Sequence, residues 1–277
     1  MTSSTSYRSR RIVVHVLLIA GAVLMIMPFL WMLSTSFKSF ADSMKVPPTL
    51  FPAEWHFENY SKVLSTIDFG RYYVNTIIVT IGRTVGQLLL CSLAAYSFAS
   101  LKFPGKNLIF LAMLAVLMVP SQVVMIPSFV IMRELNWLDT FYVLIIPGIF
   151  SAFGTFLLRQ FFMTLPKDLE EAAKIDGCSY FRIYWNIYLP LSKSALVSLA
   201  IFTILASWNE LLWPLIMTSS EDMRVLSIGI STFQGQHSTD YPLLMAGAVM
   251  ATLPIIILFI FLQRYFIEGI AMNGIKG

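Results

Sequence analysis

Residues 166–193 read PKDLEEAAKIDGCSYFRIYWNIYLPLSK, a charged and aromatic island in an otherwise apolar chain. Pro166 suits a helix start, where its missing N–H would have no intrahelical partner. Asp168, Glu170 and Glu171 then meet the positive end of the helix dipole. Gly177 can take the left-handed conformation that stops a helix, Ser179 can cap a second one, and Pro190 limits that second helix. The island is expected to fold as helix, glycine turn, helix. Ala172 and Ala173 leave a narrow surface able to enter a groove, with Glu171 beside them for ion pairing. Phe181, Tyr184, Trp185 and Tyr188 offer an aromatic face. By composition alone the same stretch also fits an amphipathic helix resting on lipid headgroups.

The rest of the chain decides the solvent. Of 277 residues, 57% are hydrophobic and 12% charged, and the mean hydropathy is +0.74. A soluble domain carries about 25% charged residues, so too little polar side chain is present to clothe a globule in water. A soluble enzyme or nucleic-acid-binding domain is excluded. Six apolar runs are long enough to cross a bilayer as helices: 12–37, 72–101, 108–132, 140–158, 194–220 and 241–263. Only Arg83 and Glu210 carry full charge inside them, so 32 of the 34 charged residues lie outside. Pro28, Pro120, Pro127, Pro147, Pro214 and Pro254 fall within the runs, so kinked helices are expected. The first run follows Arg8, Arg10 and Arg11 but is longer than a signal-peptide core and lacks a small-residue cleavage site, so it is read as a retained helix.

With the N-terminus inside, 12 Lys and Arg residues fall in cytoplasmic segments and six outside, which places both termini in the cytoplasm. The net charge of +4 is then a topology signal rather than a nucleic-acid footprint. Cys91 and Cys178 make no disulfide framework, and His15, His56 and His237 are too scattered to suggest a metal site. No loop is long enough for a second soluble domain. The expected architecture is all-α, one integral-membrane domain over 1–277 with the polar loop 166–193 on its cytoplasmic side.

The spacing Glu171-Ala172-Ala173, Gly177, Ile187, Leu189-Pro190 resembles the EAA signature of binding-protein-dependent ABC importer permeases. Further stretches look like the carbohydrate branch of that family, the smaller six-helix permease of maltose-type systems. They include Asn75-Thr76, Ala94-Ala95-Tyr96-Ser97-Phe98, residues 156–162 (FLLRQFF), Trp208-Asn209-Glu210 with Trp213-Pro214, Leu244-Met245-Ala246-Gly247, residues 263–269 (QRYFIEG) and Gly274-Ile275-Lys276-Gly277.

The resemblance implies that the loop is a coupling helix seated on a cytoplasmic ATPase, with Glu171, Ala172, Ala173 and Gly177 at the contact and Ile187, Leu189 and Pro190 fixing the loop to the fifth span. It implies two ABC ATPase subunits carrying ATP and Mg, a second homologous permease and an extracytoplasmic solute-binding protein that delivers a sugar, all at a bacterial or archaeal cytoplasmic membrane. No cofactor is expected on this chain: Gly105-Lys106 lacks the glycine five residues earlier and the following Ser or Thr of a nucleotide-binding loop. This chain is therefore not expected to be an enzyme. Trp208, Asn209 and Glu210 are candidates for the substrate path, although helix-locking polar groups have the same composition. Arg83 and Glu210 fall at similar depths and can pair or share an aqueous cavity. Phe233, Gln234, Gly235 and Gln236 could touch the binding protein, and the tail residues Gly274, Lys276 and Gly277 the ATPases. Glycerol-phosphate or polyol import by the same mechanism is the alternative substrate class. An ion-coupled secondary transporter using Glu210 is the rival mechanism.

Overall fold

The computed structural model describes residues 3–235 and 238–274. The described residues are nearly all helical, and their sole extended pairing is an isolated bridge between Gln234 and Thr239. They form two compact units, Met1–Phe69 with Ile230–Leu253, and Gly70–Gly229 with Pro254–Gly277.

The first unit opens with α1 (Ser3–Ser36), which is apolar on every side over Val13–Ser36 and leaves residues such as Leu24 and Met25 exposed there. Such a helix belongs in lipid or against other helices. Two short helices follow, α2 (Phe40–Ser43), capped by the Ser39 side chain, and α3 (Glu58–Thr66). Buried Asn59 ties this turn-rich stretch down by donating to the carbonyls of Ser36 and Lys38, each at 2.9 Å. Phe37 gathers the rings of Trp55, Phe57 and Tyr60 around it.

The second unit is organised by α4 (Phe69–Ser100). One turn apart on it, Gly82 and Gly86 let Ile145 and Ile149 rest on the helix backbone: a Cβ on Gly86 would stand 2.5 Å from the Cβ of Ile149. Small residues at this spacing are a common device for close helix approach in membranes. The chain continues through α5 (Lys106–Ala115), α6 (Met125–Glu134), α7 (Phe141–Ile145) and α8 (Ala152–Phe162). The polar loop supplies α9 (Lys167–Ile175), α10 (Tyr180–Ile183) and α11 (Leu189–Leu191). Beyond it come α12 (Lys193–Trp208), α13 (Leu212–Met217), α14 (Leu226–Ser231) and α15 (Tyr241–Gly274), the last shared between the units.

Four stretches are continuous, apolar and long enough to span: Val13–Ser36, Phe69–Ser100, Phe141–Phe162 and Tyr241–Phe261. The runs 108–132 and 194–220 are not single helices. The first stops after Met118, because Val119 is extended ahead of Pro120 and proline has no N–H to continue the ladder. The second is interrupted between Trp208 and Leu212, with Pro214 in the first turn of the resumed helix. Pro28 and Pro254, by contrast, sit inside unbroken helices, and α15 runs past residue 263 to Gly274.

Candidate functional site

The loop folds as its local signals require. Asp168 and Glu170 occupy the first turn of α9, and Lys174 its last. Gly177 has φ +76°, its N–H bonds the Lys174 carbonyl at 3.0 Å, and the Cys178 N–H bonds the Ala173 carbonyl at 2.9 Å. This crossed pair is the Schellman arrangement that needs a left-handed residue. Ser179 then caps α10 by accepting from the Arg182 N–H at 3.3 Å. Pro190 does not end the second helix. A wide π turn over Tyr184–Tyr188 precedes it, so Pro190 enters the first turn of α11, where its missing N–H costs nothing, and the chain bends by 78° only at Ser192.

The loop has two sides. Glu171, Ala172 and Gly177 are exposed, as are Ile175 (87%), Phe181 (63%) and Trp185 (53%), the last two with rings stacked at 6.2 Å. Ala173 faces inward, and Ile187 and Leu189 pack with it against Tyr96, Leu158, Ala195 and Leu199, while Pro190 is exposed. The aromatic face expected from sequence is split. Tyr184 and Tyr188 are buried one turn apart, whereas Phe181 and Trp185 point out from the neighbouring helical row. The inner tyrosines bolt the loop to α4: Tyr184 shares a 2.7 Å hydrogen bond with Ser92, and Tyr188 accepts from Ser100 at 2.6 Å.

The centre of this bolt is Glu170, which by sequence is only a first-turn acid. Its carboxylate accepts from the Tyr188 hydroxyl at 2.6 Å and from Lys174 at 2.7 Å, in a site only 7% exposed. Burial pushes the carboxyl upward, but the hydrogen bonds from Lys174 and Tyr188 outweigh it and hold the group below the ordinary carboxylate value. The i,i+4 spacing to Lys174 was visible in the sequence, but the partners Ser100 and Tyr188 were not.

A second polar feature lies within the bundle. A cavity of about 400 Å³ is lined by Arg83, Gln87, Ser151, Thr203, Ser207 and Glu210, together with apolar neighbours. Buried Arg83 lies across Gly148, where a Cβ would be 2.7 Å from Nε, and its Nε donates to the Leu144 carbonyl at 2.6 Å. Thr203 donates to Gln87 at 2.8 Å. Arg83 and Glu210 face the same space, and no ion pair between them occurs among the described residues. The break in the fifth run places Asn209 and Glu210 outside regular helix. Asn209 donates to the Leu205 carbonyl at 2.8 Å, and the Trp213 N–H approaches Glu210 at 3.5 Å. Trp208 is not at this cavity. It lines a separate apolar pocket, edge-on to Tyr73 at 5.7 Å.

The Asn75-Thr76 pair holds the stretch before α14. Asn75 donates to the carbonyls of Asp222 and Arg224, and Thr76 accepts from the Leu226 N–H. In the first unit, Phe233 is buried, leaving Gln234 and Gly235 exposed at the turn. Gly274 closes α15. Gln236, Lys276 and Gly277 lie outside the described residues.

A membrane helical bundle that holds a rigid helix-turn-helix at the ends of its spans and keeps a polar cavity inside has the architecture of a solute permease. The chain belongs to the family of binding-protein-dependent transport system inner membrane components, whose family model matches residues 87–271. It is the permease subunit of an ABC importer. The arabinooligosaccharides transport system permease protein AraQ of Bacillus subtilis (strain 168) is 34% identical, covering 99% of both chains. UgpE, the sn-glycerol-3-phosphate transport system permease protein of Yersinia enterocolitica, is 33% identical over 92% of this chain and 94% of its own. A chain of a bacterial ABC transporter that imports the acidic polysaccharide alginate superimposes with a TM-score of 0.80 at 26% identity, covering 96% of this chain and 99% of that one.

Proposed function

We propose that this chain carries a sugar or oligosaccharide across the membrane after delivery by an extracytoplasmic binding protein. It would do so beside a second homologous permease and above two ATPase subunits, which bind ATP and Mg and hydrolyse the nucleotide. The observation that carries this reading is the two-sided loop. Its outer side offers Glu171, Ala172, Ile175, Phe181 and Trp185 to a partner, and its inner side is hydrogen-bonded to α4. A push on such a loop moves the spans rather than being absorbed by local bending. ATP-driven closure of the ATPases would thereby swing the bundle between outward and inward openings. The loop and both termini would lie in the cytoplasm, as the placement of the bases favours.

Trp208, Asn209, Glu210 and Arg83 are proposed to border the path. Arg83 could greet a phosphate, as glycerol-phosphate import would need. Glu210 in the same cavity balances that charge, so an uncharged polyhydroxyl solute fits better. Gln234, Gly235 and Gln236 are proposed to meet the docked binding protein, and the tail at Gly274, Lys276 and Gly277 the ATPases.

Uptake by proteoliposomes containing the whole transporter tests the mechanism. Uptake should survive an uncoupler at constant ATP and stop when the ATPase cannot hydrolyse. Collapse with the uncoupler would instead identify an ion-coupled carrier. In the same assay Trp208→Ala should slow uptake without loss of assembly.

A further inference from the structure

A cavity of about 440 Å³ lies where α4 and α8 end, along the edge of α9 that carries Lys167, Glu170, Glu171 and Lys174. Four lysines line it, Lys102, Lys106, Lys167 and Lys174, against two carboxylates, Glu170 and Glu171. Three of these six groups are already engaged. Glu170 is taken by Lys174 and Tyr188, and Lys106 donates to the carbonyls of Ala99 and Leu101 at 3.3 and 2.9 Å. The side chains of Lys102 and Lys167 have no ion pair or hydrogen bond among the described residues. The lining thus has a formal excess of two positive charges, at the level where the spanning stretches Phe69–Ser100 and Phe141–Phe162 both terminate. Burial and the neighbouring Arg159 already hold the Lys106 ammonium below its ordinary value, as expected of a site short of negative charge.

The remaining wall is mixed: the Ser100 and Tyr188 hydroxyls are already spent on each other and on Glu170, and the other side chains are apolar. Phe162, Met163 and Leu165 line the cavity beside the lysines. A site with basic groups on one side, apolar side chains on the other, and a position at the bilayer surface matches an amphiphile better than a free ion. We infer that this cavity holds the phosphodiester headgroup of an anionic glycerophospholipid. Lys102 and Lys167 are its charge partners, and Met163 and Leu165, in front of the buried Phe162, meet the first methylenes of its chains. A lipid seated there braces α9 against the ends of two spans, so the bolt centred on Glu170 acquires a lipid component. Inorganic phosphate shares the charge chemistry but gains nothing from the apolar wall. The inference takes from the proposed function only which leaflet supplies the lipid.

The test is lipid retention by the full-length chain, purified with its co-purifying subunits, released from nanodiscs of equal parts palmitoyl-oleoyl phosphatidylglycerol and phosphatidylcholine, and weighed by native mass spectrometry. Phosphatidylglycerol should remain bound in preference to phosphatidylcholine, and millimolar inorganic phosphate should not displace it. K102Q/K167Q should lower retention roughly 10–30-fold, each lysine contributing a separate attraction to the anionic lipid. Lys193→Gln, outside the cavity, should change nothing. If the double variant does not assemble, Lys102→Gln alone should still lower retention. Equal retention of the two lipids, unchanged retention in the lysine variants, or displacement by phosphate would overturn the inference. The readout requires neither ATP nor solute, so it can fail while the import function stands, and the reverse.

Discussion

Gly177→Val should cut coupled uptake about tenfold or more while leaving the membrane bundle folded. Nothing lies within 4 Å of the place a Cβ would occupy, so the substitution meets no clash. Its cost is in the backbone: φ at +76° is left-handed, and a β-branched residue there is strained by about 1–3 kcal/mol. Relief of that strain gives up the bonds from Gly177 to Lys174 and from Cys178 to Ala173, which set the angle between α9 and α10. Glu171 and Ala172 on one helix then lose their register with Phe181 and Trp185 on the other. Uptake should fall about tenfold or more, the amount expected when roughly 1.4 kcal/mol of the docking geometry is lost. Gly177→Asn, which tolerates the left-handed region, should retain most of it. Normal uptake by Gly177→Val would remove the turn from the mechanism.

Glu170→Ala should have the second largest effect, and through stability rather than contact. The side chain is buried, and its removal leaves the Lys174 ammonium and the Tyr188 hydroxyl without their shared acceptor, a loss of about 1–3 kcal/mol. A fall in melting temperature in detergent, with no comparable fall for exposed Glu171→Ala, would show it. The pH dependence follows from the same geometry. The folded carboxyl lies below its ordinary value of 4.5, so its contribution is present above that value and is lost as pH falls through the folded one. Glu170→Gln should flatten that acid limb of the melting profile. An unchanged acid limb would mean the carboxylate is not held as described.

Local signals carried the sequence reading furthest. Pro166, Gly177 and Ser179 act within a few residues of themselves, and the helix-turn-helix they imply is the one that forms. Hydropathy found the apolar runs but averaged over their interruptions. Pro120 and its extended neighbour Val119 break one run, and the polar step Asn209-Glu210 breaks another. Counting residues from the span ends set Arg83 and Glu210 at similar depth, and both do line one cavity. What stayed hidden was tertiary. Ser100 and Tyr188 are 88 residues apart, so the tie between them and Glu170 has no signature along the chain. The split of the aromatic face was hidden for the same reason: residues 181, 184, 185 and 188 form one i, i+3, i+4, i+7 stripe, and only the π turn over Tyr184–Tyr188 and the bonds to Ser92 and Ser100 turn two of the four rings inward.

The most direct test of the coupling account is which subunits accompany the chain through purification in mild detergent. The native chain should bring an ATPase pair and a second permease. With Glu171→Lys the second permease should remain and the ATPases should be lost, because a reversed charge on the exposed side of α9 repels the partner it once attracted. Undiminished ATPase recovery with Glu171→Lys, or full transport by a native chain that brings no ATPase, would contradict the account.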